Sequence, residues 1–289
     1  MSMGVTLRNY RGPEDLQLQN DFWVQATRHL PWCWKPTLSP VLYSKGAQFD
    51  PRSRCFAFEG ERLVGYASFT GDGEFVSFGY PWVLPGYEGE LQEKLYEAVY
   101  GFAASREYGG RKFAQRFREQ WTAQVSFFER HGFVRQRPDP IYAVDLRAAT
   151  TSQVPVGCDL ECSARFCWDD FHELSAARLP APELSMWKQY LQTVDFDFAV
   201  KASRGGVPAA YLGIAIRHDT GFAELIAVAV EPAAVGVLGA CLAVAVGEAR
   251  SRKAAHFGTK AIPVEGSAEI LAQAGFEKVS EELLLSKNI

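Results

Sequence analysis

Apolar stretches bounded by Gly-containing turns predict the same run of strands in both halves of the chain. Arg62–Thr70 follows a Gly-Glu turn, and Val207–Ile216 follows a Gly-Gly turn. In each half, a short polar turn that contains Gly follows, and then another apolar strand. That second strand ends in a Val-x-Pro triplet, at Val83–Pro85 in the first half and at Val230–Pro232 in the second. Apolar runs bounded by turn residues are typical of β-strands, and the polar turns predict hairpins.

Helical periodicity follows each Val-x-Pro triplet. Long helices are predicted over Gly89–Glu107 and Gly236–Lys253. A shorter predicted helix then precedes a Gly-Phe pair in each half, at Gln120–His131 and at Glu265–Ala274. The spacing between equivalent residues drifts along the chain, as loop insertions in duplicated domains would produce.

A linker separates the two predicted domains. Residues 148–157 are small, polar and rich in turn formers, whereas the segments on both sides are strand-like. A predicted strand and helix open the first half at Val5–Arg8 and Pro13–Leu30, and a similar pair opens the second half at Cys158–Cys162 and Ala164–Leu179. We therefore predict domains 1–147 and 158–289, each of order β-α-α-β-β-β-α-β-α-β. The fold class is α/β (α+β), with a mixed, mostly antiparallel twisted sheet flanked by helices in each domain.

Composition narrows the classes of function. The chain has 289 residues, is 47% hydrophobic and carries a formal net charge of -4, which disfavours a nucleic-acid binder. The N-terminus lacks the apolar region of a signal peptide. The apolar run Val235–Gly247, of about 13 residues, is shorter than the roughly 20 that span a bilayer, so we expect a core helix, no membrane and a cytoplasmic protein.

The chain offers no pattern typical of a metal site. Its six cysteines are scattered without a CxxC pair, and its five histidines are isolated in sequence. We expect reduced structural thiols and no metal.

The stretch Phe222–Leu242 carries the candidate chemistry. It begins as a strand that contains one carboxylate, Glu224, and it enters a helix through Pro232 and small residues. A helix N-terminus presents free N–H groups and a partial positive charge, which suit a pyrophosphate, and a nearby carboxylate can act as a base. The alternative interpretation is an ordinary βα unit with one polar strand residue.

The order of elements, the duplicated Val-x-Pro turn and the closing Gly-Phe resemble two tandem domains of the GNAT acyltransferase superfamily. The segment Phe222–Ile226 is similar to the strand of the histone-acetyltransferase branch whose Glu is the general base, which implies that role for Glu224. The resemblance also implies an acyl-CoA co-substrate, usually acetyl-CoA. Its pantetheine arm would pair with the strand at Val228, Ala229 and Val230, where a backbone N–H would also stabilise the carbonyl oxygen. The implied pyrophosphate loop contains Val235, Gly236, Val237, Leu238, Gly239 and Ala240.

Several positions depart from the family pattern. Val235 stands where the family loop has Arg or Gln, and Leu238 stands at its first Gly. The Tyr that often serves as general acid in the family corresponds to Leu271 in the second half and to Phe128 in the first. Tyr211 is the substitute acid that we consider, with packing in the core or cleft as the alternative.

The first half is predicted to be structural or to shape the acceptor pocket. Glu88, Glu90 and Glu93 favour a helix start but would repel a pyrophosphate there. Glu74 is not at the position equivalent to Glu224. Among its many aromatic residues, Trp32 and Trp34 lie in a Pro-broken loop and are candidates for lining an acceptor cleft.

The resemblance leaves three functions open. The first is an acyl-CoA-dependent N-acyltransferase that acts on a small-molecule or protein amine. The second is a non-catalytic acyl-CoA-binding or regulatory protein, and the third is an aminoacyl-transferase of similar fold that uses charged tRNA. Both a monomer and a homodimer are compatible with the duplication.

Overall fold

The computed structural model describes residues 4–35, 49–71, 75–105, 112–148, 157–176 and 178–288. Seven α-helices lie within these ranges. They are α1 (Pro13–Thr27), α2 (Glu90–Ala104), α3 (Thr122–Arg130), α4 (Trp168–Ser175), α5 (Ala181–Leu191), α6 (Leu238–Ser251) and α7 (Ser267–Gln273).

Fourteen strands accompany them within the same ranges. They are β1 (Val5–Asn9), β2 (Arg54–Glu59), β3 (Arg62–Thr70), β4 (Phe75–Phe78), β5 (Trp82–Val83), β6 (Lys112–Arg118), β7 (Val134–Arg135), β8 (Asp139–Asp145), β9 (Asp159–Ser163), β10 (Phe198–Arg204), β11 (Val207–Arg217), β12 (Phe222–Val230), β13 (His256–Lys260) and β14 (Glu277–Asn288). The second half follows the predicted order of elements. The predicted linker lies mostly, and Glu74 entirely, outside the described residues.

The first compact unit comprises Met1–Pro31, Ser39–Pro138 and Glu282–Ile289. Its strands are ordered β1-β2-β3-β4-β6-β14, and only the pair β4–β6 is parallel. Helices α1 and α2 pack on β3. Pro13 and two acidic residues favour the start of α1, since proline fits the first helical turn and carboxylates complement the helix dipole.

The second compact unit comprises Trp32–Leu38 and Asp139–Glu281. Its strands are ordered β8-β13-β12-β11-β10-β9, and only β12 and β13 run parallel. Helix α6 packs on β10 and β11 within one apolar cluster, whereas α4 packs on β11 and β12 within another. The predicted mixed, mostly antiparallel sheets flanked by helices are thus confirmed.

The compact units differ from the predicted consecutive domains 1–147 and 158–289. Strand β8 comes from the first half of the sequence but pairs with β13 of the second unit. Conversely, residues Glu282–Asn288 come from the end of the chain but pair with β6 of the first unit. The final strands of the two halves are therefore exchanged.

Helix boundaries differ from the predictions where the helix type changes or a proline intervenes. The predicted helix Gly236–Lys253 is a 3₁₀ segment, Pro232–Val237, followed by α6. The predicted helix Ala164–Leu179 is the shorter α4, and α5 begins after Pro180. Residues Pro232–Ser251 form the one described stretch that is long and apolar enough to cross a membrane, but half of its apolar window is buried inside the fold. Most of its buried residues belong to the cluster around β10 and β11, which is the environment of a core helix.

Candidate active site

Glu224 lies on β12 just before that strand separates from β13. The parallel ladder joins Phe222–Leu225 to His256–Thr259, with Glu224 opposite Gly258. Strand β12 then continues to Val230 while pairing with β11 on its other edge. Glu224 therefore lies one residue before the end of the parallel ladder, and β12 extends beyond that end.

A β-bulge defines which residues of β12 face which helix. In the ladder with β11, Gly213 pairs with Ala227 but Ile214 pairs with Leu225, so Ile226 is an extra residue on β12. Leu225 packs in the cluster with α6, and alternation along a strand places Glu224 on the opposite face, the face covered by α4. The side chain of Glu224 is 5% exposed.

The edge of β12 beyond the bulge contains the residues predicted to bind pantetheine. Val228, Ala229 and Val230 follow the end of the ladder with β13. The carbonyl of Val230 accepts a hydrogen bond from Nη1 of Arg178, an exposed side chain that precedes α5. Sequence reasoning missed Arg178, because no short-range pattern links residues 52 positions apart.

The predicted phosphate loop begins with the 3₁₀ segment Pro232–Val237. Ala234 departs from helical φ and ψ within it, and neither this segment nor α6 has a side-chain hydrogen bond at its N-cap. Gly236 is exposed, and a Cβ built there would meet nothing within 4 Å. A helix start that lacks a side-chain cap and has open space beside a glycine is suited to an anion.

The residues of the predicted phosphate loop differ in how exposed they are. Gly236 is exposed, and Val235 and Gly239 are half-buried. In contrast, the side chains of Val237, Leu238 and Ala240 are buried at 1% exposure or less. Only backbone groups of those three buried residues are therefore candidates for ligand contacts.

The equivalent turn in the first unit is occupied by its own side chains. The carboxylate of Glu88 accepts a hydrogen bond from the Gly86 N–H at 2.7 Å, and the Gln92 side chain accepts one from the Gly89 N–H at 3.3 Å. Glu90 pairs with Lys94 at 2.6 Å and Glu93 contacts His131 at 2.9 Å. These contacts agree with the predicted helix start and leave this turn poorly suited to a pyrophosphate.

Tyr211 is not brought together with Glu224. It lies opposite Ala229 in the ladder, five strand residues from Glu224, which corresponds to about 16 Å. Its hydroxyl accepts a hydrogen bond from the Cys167 N–H at 2.7 Å, and burial raises its pKa to about 12. Leu271 and Phe128, at the positions of the family Tyr, are fully buried core residues.

Aromatic residues lie beside the carboxylate on β12. Phe222 is two residues before Glu224 and so shares its sheet face, and a Cβ at Gly258 would lie 2.5 Å from the Phe222 ring. Trp32 contacts Phe222 edge-on, with 6.0 Å between ring centroids, and likewise contacts His256 at 5.7 Å. Trp32 has a φ of 54°, an uncommon value for a bulky residue that is found at ligand-binding positions.

Trp32 and His256 also line a cavity of about 400 Å³ in the second unit. Asp145, Gln273 and Glu277 contribute polar groups to its lining, which does not include Glu224. Among the described residues, no group of three His, Cys, Asp or Glu side chains could hold a metal ion.

Solved structures that are similar to this chain include a tandem GNAT protein and several acetyltransferases. A tandem GNAT protein from the clavulanic acid biosynthesis pathway, solved without AcCoA, covers 99% of this chain and 98% of its own at 16% identity and a TM-score of 0.72. The chain has the tandem GNAT fold. A GCN5-related N-acetyltransferase from Sphaerobacter thermophilus is similar at 15% identity; the match covers 98% of this chain and 95% of its own, at a TM-score of 0.59. A GNAT-family acetyltransferase from Colwellia psychrerythraea covers 98% of this chain and 100% of its own at 13% identity and a TM-score of 0.60.

No protein-family model and no curated protein matches the sequence. The tandem GNAT fold is therefore supported by three-dimensional structure, at identities too low to transfer a substrate.

Proposed function

We propose that this protein is an acyl-CoA-dependent N-acyltransferase whose chemistry occurs in the second unit. The observation that carries the proposal is the position of Glu224, which is buried one residue before the end of the ladder between β12 and β13. The part of β12 beyond that ladder and a helix start without a side-chain cap follow it directly. Acetyl-CoA is the expected donor, and a small-molecule or protein amine is the expected acceptor.

The residues present fit a CoA thioester. The backbone groups of Val228 and the N–H of Val230 are candidates for strand-like pairing with an amide-containing arm, whereas the Val230 carbonyl accepts a hydrogen bond from Arg178. The backbone from Val235 to Ala240 would hold the pyrophosphate. Arg178 contributes a cation beside the end of β12, which partly compensates for the absence of Arg or Gln at position 235.

Glu224 would remove the proton that the acceptor amine must lose. A lysine-like amine has a pKa near 10.4, so its neutral form is disfavoured by about 4–5 kcal/mol at pH 7. In the proposed step, the amine nitrogen bonds to the thioester carbonyl carbon, the C–S bond breaks, and CoA leaves as a thiolate. Before the attack, Glu224 takes one proton from the ammonium, directly or through one water, and releases it to solvent. The second proton, which nitrogen loses as the amide forms, is taken up by the departing CoA thiolate.

Kinetics of Glu224→Gln test the proposal. We expect kcat/KM for CoA release, with acetyl-CoA and a panel of primary amines, to fall by about 10²–10⁴ near pH 7 and by less at high pH, where the free amine is already neutral. Glu231→Gln is the matched control, because Glu231 is an exposed acid seven residues further along. An unchanged pH profile in Glu224→Gln would remove Glu224 from the mechanism.

A non-catalytic acyl-CoA-binding protein is the second candidate. It is favoured by the buried Leu238 in the loop and by the buried Leu271 at the position of the family acid. Tight CoA binding by calorimetry, without CoA release for any amine of the panel, would support it over the enzyme. The aminoacyl-transferase alternative requires tRNA binding that weakens steeply with salt.

A further inference from the structure

The first unit contains a buried arginine whose charge is not used by the proposed function. Arg54 opens β2, lies opposite Ser68 of β3 and is 1% exposed. Its Nη1 donates a hydrogen bond to Ser53 Oγ at 3.0 Å. Its Nε and Nη2 are buried and have no hydrogen-bond partner in the described part of the chain. Burial lowers the pKa of this guanidinium to about 10.

Other arginines of this chain use the same two nitrogens, Nε and Nη2, to bind carboxylates. Three of them donate from Nε and Nη2 together to the two oxygens of one Asp. These pairs are Arg52–Asp50 at 3.0 and 2.6 Å, Arg147–Asp145 at 2.9 and 2.7 Å, and Arg217–Asp219 at 2.8 and 3.0 Å. The Nε–Nη2 edge matches the spacing of carboxylate oxygens, so the same edge in Arg54 is a ready receptor for one.

The immediate surroundings of Arg54 supply aromatic rings rather than a negative charge. The Arg54 Cζ lies 5.1 Å from the centroid of Phe49, and Tyr10 contacts Phe49 edge-on at 5.0 Å. The buried Tyr66 has a raised pKa, mainly because of its burial, and remains a neutral phenol. The carboxylate of Asp50, the nearest acid in sequence, is held by Arg52, and residues 36–48 contain no Asp or Glu.

We propose that the Nε–Nη2 edge of Arg54 binds the carboxylate of a small organic acid with an apolar body, inside the first unit. A bidentate carboxylate would satisfy both buried donors, which otherwise carry the penalty of unmade hydrogen bonds. The neighbouring rings of Phe49, Tyr10 and Tyr66 would pack on the apolar part of the ligand. Tyr10 and Phe49 are only half-buried, so these two rings form the side through which the acid enters.

Thermal unfolding of the full chain tests this site with benzoate and butyrate, each compared with its neutral amide. We expect both acids to raise the Tm of the wild type to a plateau, and benzamide and butyramide to leave it unchanged. Arg54→Met should remove the response. Arg52→Met is the matched control and should retain it, because Arg52 is half-exposed and its partner Asp50 lies at the surface turn.

A second variant covers the case in which Arg54→Met does not fold. Arg54→Lys keeps the positive charge but lacks the two parallel N–H donors of the guanidinium. We expect it to bind benzoate at least tenfold more weakly than the wild type. The proposal is overturned if neither acid stabilises the wild type, if the amides act equally, or if the response survives in Arg54→Met or is unweakened in Arg54→Lys. An equal response to phenylphosphonate would overturn the assignment to carboxylates. Because this readout needs no acyl-CoA, its outcome is independent of Glu224.

Discussion

Glu282 and Arg118 face each other in the antiparallel ladder between β14 and β6, with 3.2 Å between Oε1 and Nη1. Their side chains are 2% and 1% exposed, and the second carboxylate oxygen of Glu282 lies 3.2 Å from Arg116. This buried pair joins the end of the chain to the sheet of the first unit.

Loss of the Glu282 charge should destabilise the first unit strongly. Glu282→Gln removes the negative charge that faces the buried Arg118 guanidinium, and breaking one side of such a pair destabilises proteins by about 3–5 kcal/mol. We expect that decrease in the free energy of unfolding, measured with urea. Glu281→Gln is the control, because Glu281 is partly exposed and pairs with Lys278 at the surface. Equal, small effects in both variants would contradict the prediction.

The exchange of final strands explains why the order of elements could be predicted but the domain boundaries could not. Periodicity and turn residues report local structure, and they indicated β12, the turn at Pro232 and the Gly-Phe ends correctly. The strands Asp139–Asp145 and Glu282–Asn288 close the two halves at equivalent positions, so each can fill the same place in the other sheet. Nothing in the local pattern distinguishes the two pairings.

In the candidate site, too, local features could be predicted from the sequence and long-range contacts could not. The strand that contains Glu224 and the turn beyond it could be predicted, because they lie within one continuous stretch of sequence, and the roles of Glu224 and the loop backbone stay predictions. The 3₁₀ segment was missed because a run of small apolar residues buries equally well in a 3₁₀ or an α-helix, and only the backbone at Ala234 marks the change. Trp32 on Phe222 and Arg178 on Val230 are long-range contacts that no periodicity encodes.

The sign of a charge introduced at position 236 should determine whether the protein binds CoA more weakly or more tightly. The residue is exposed, its φ lies outside the left-handed region, and an added side chain meets nothing within 4 Å. We expect Gly236→Asp to weaken CoA binding about tenfold and Gly236→Lys to preserve or strengthen it, as measured by calorimetry. Both variants should unfold within about 0.5 kcal/mol of the wild type. Equal affinities for Asp and Lys would place the pyrophosphate elsewhere.

Acidic pH should lower the stability of the second unit, in part because Asp197 becomes protonated. Burial of this carboxylate raises its pKa, but the Ile216 N–H at 2.6 Å, Lys35 at 3.2 Å and His218 at 2.7 Å outweigh that effect, so the pKa is lowered overall. A lowered folded-state pKa stabilises the fold above the unfolded value, near 3.9, and this stabilisation is lost as the pH falls through the folded value. We expect the acid-induced loss of unfolding free energy below about pH 4 to be smaller in Asp197→Asn. Asp195→Asn is the control, because the Asp195 side chain is 67% exposed. Its free energy of unfolding should depend on pH as that of the wild type does.

Tyr211→Phe should affect stability rather than proton transfer. The Tyr211 hydroxyl accepts a hydrogen bond from the Cys167 N–H, and because Cys167 is exposed to water, the loss of this bond should cost about 0.5–1.5 kcal/mol. Because Tyr211 lies opposite Ala229 rather than near Glu224, we expect the pH dependence of kcat/KM to be unchanged. Urea unfolding and a pH–rate profile of the same preparation measure the two effects separately. A large fall in kcat with loss of the alkaline limb, at unchanged stability, would instead assign Tyr211 the role of general acid.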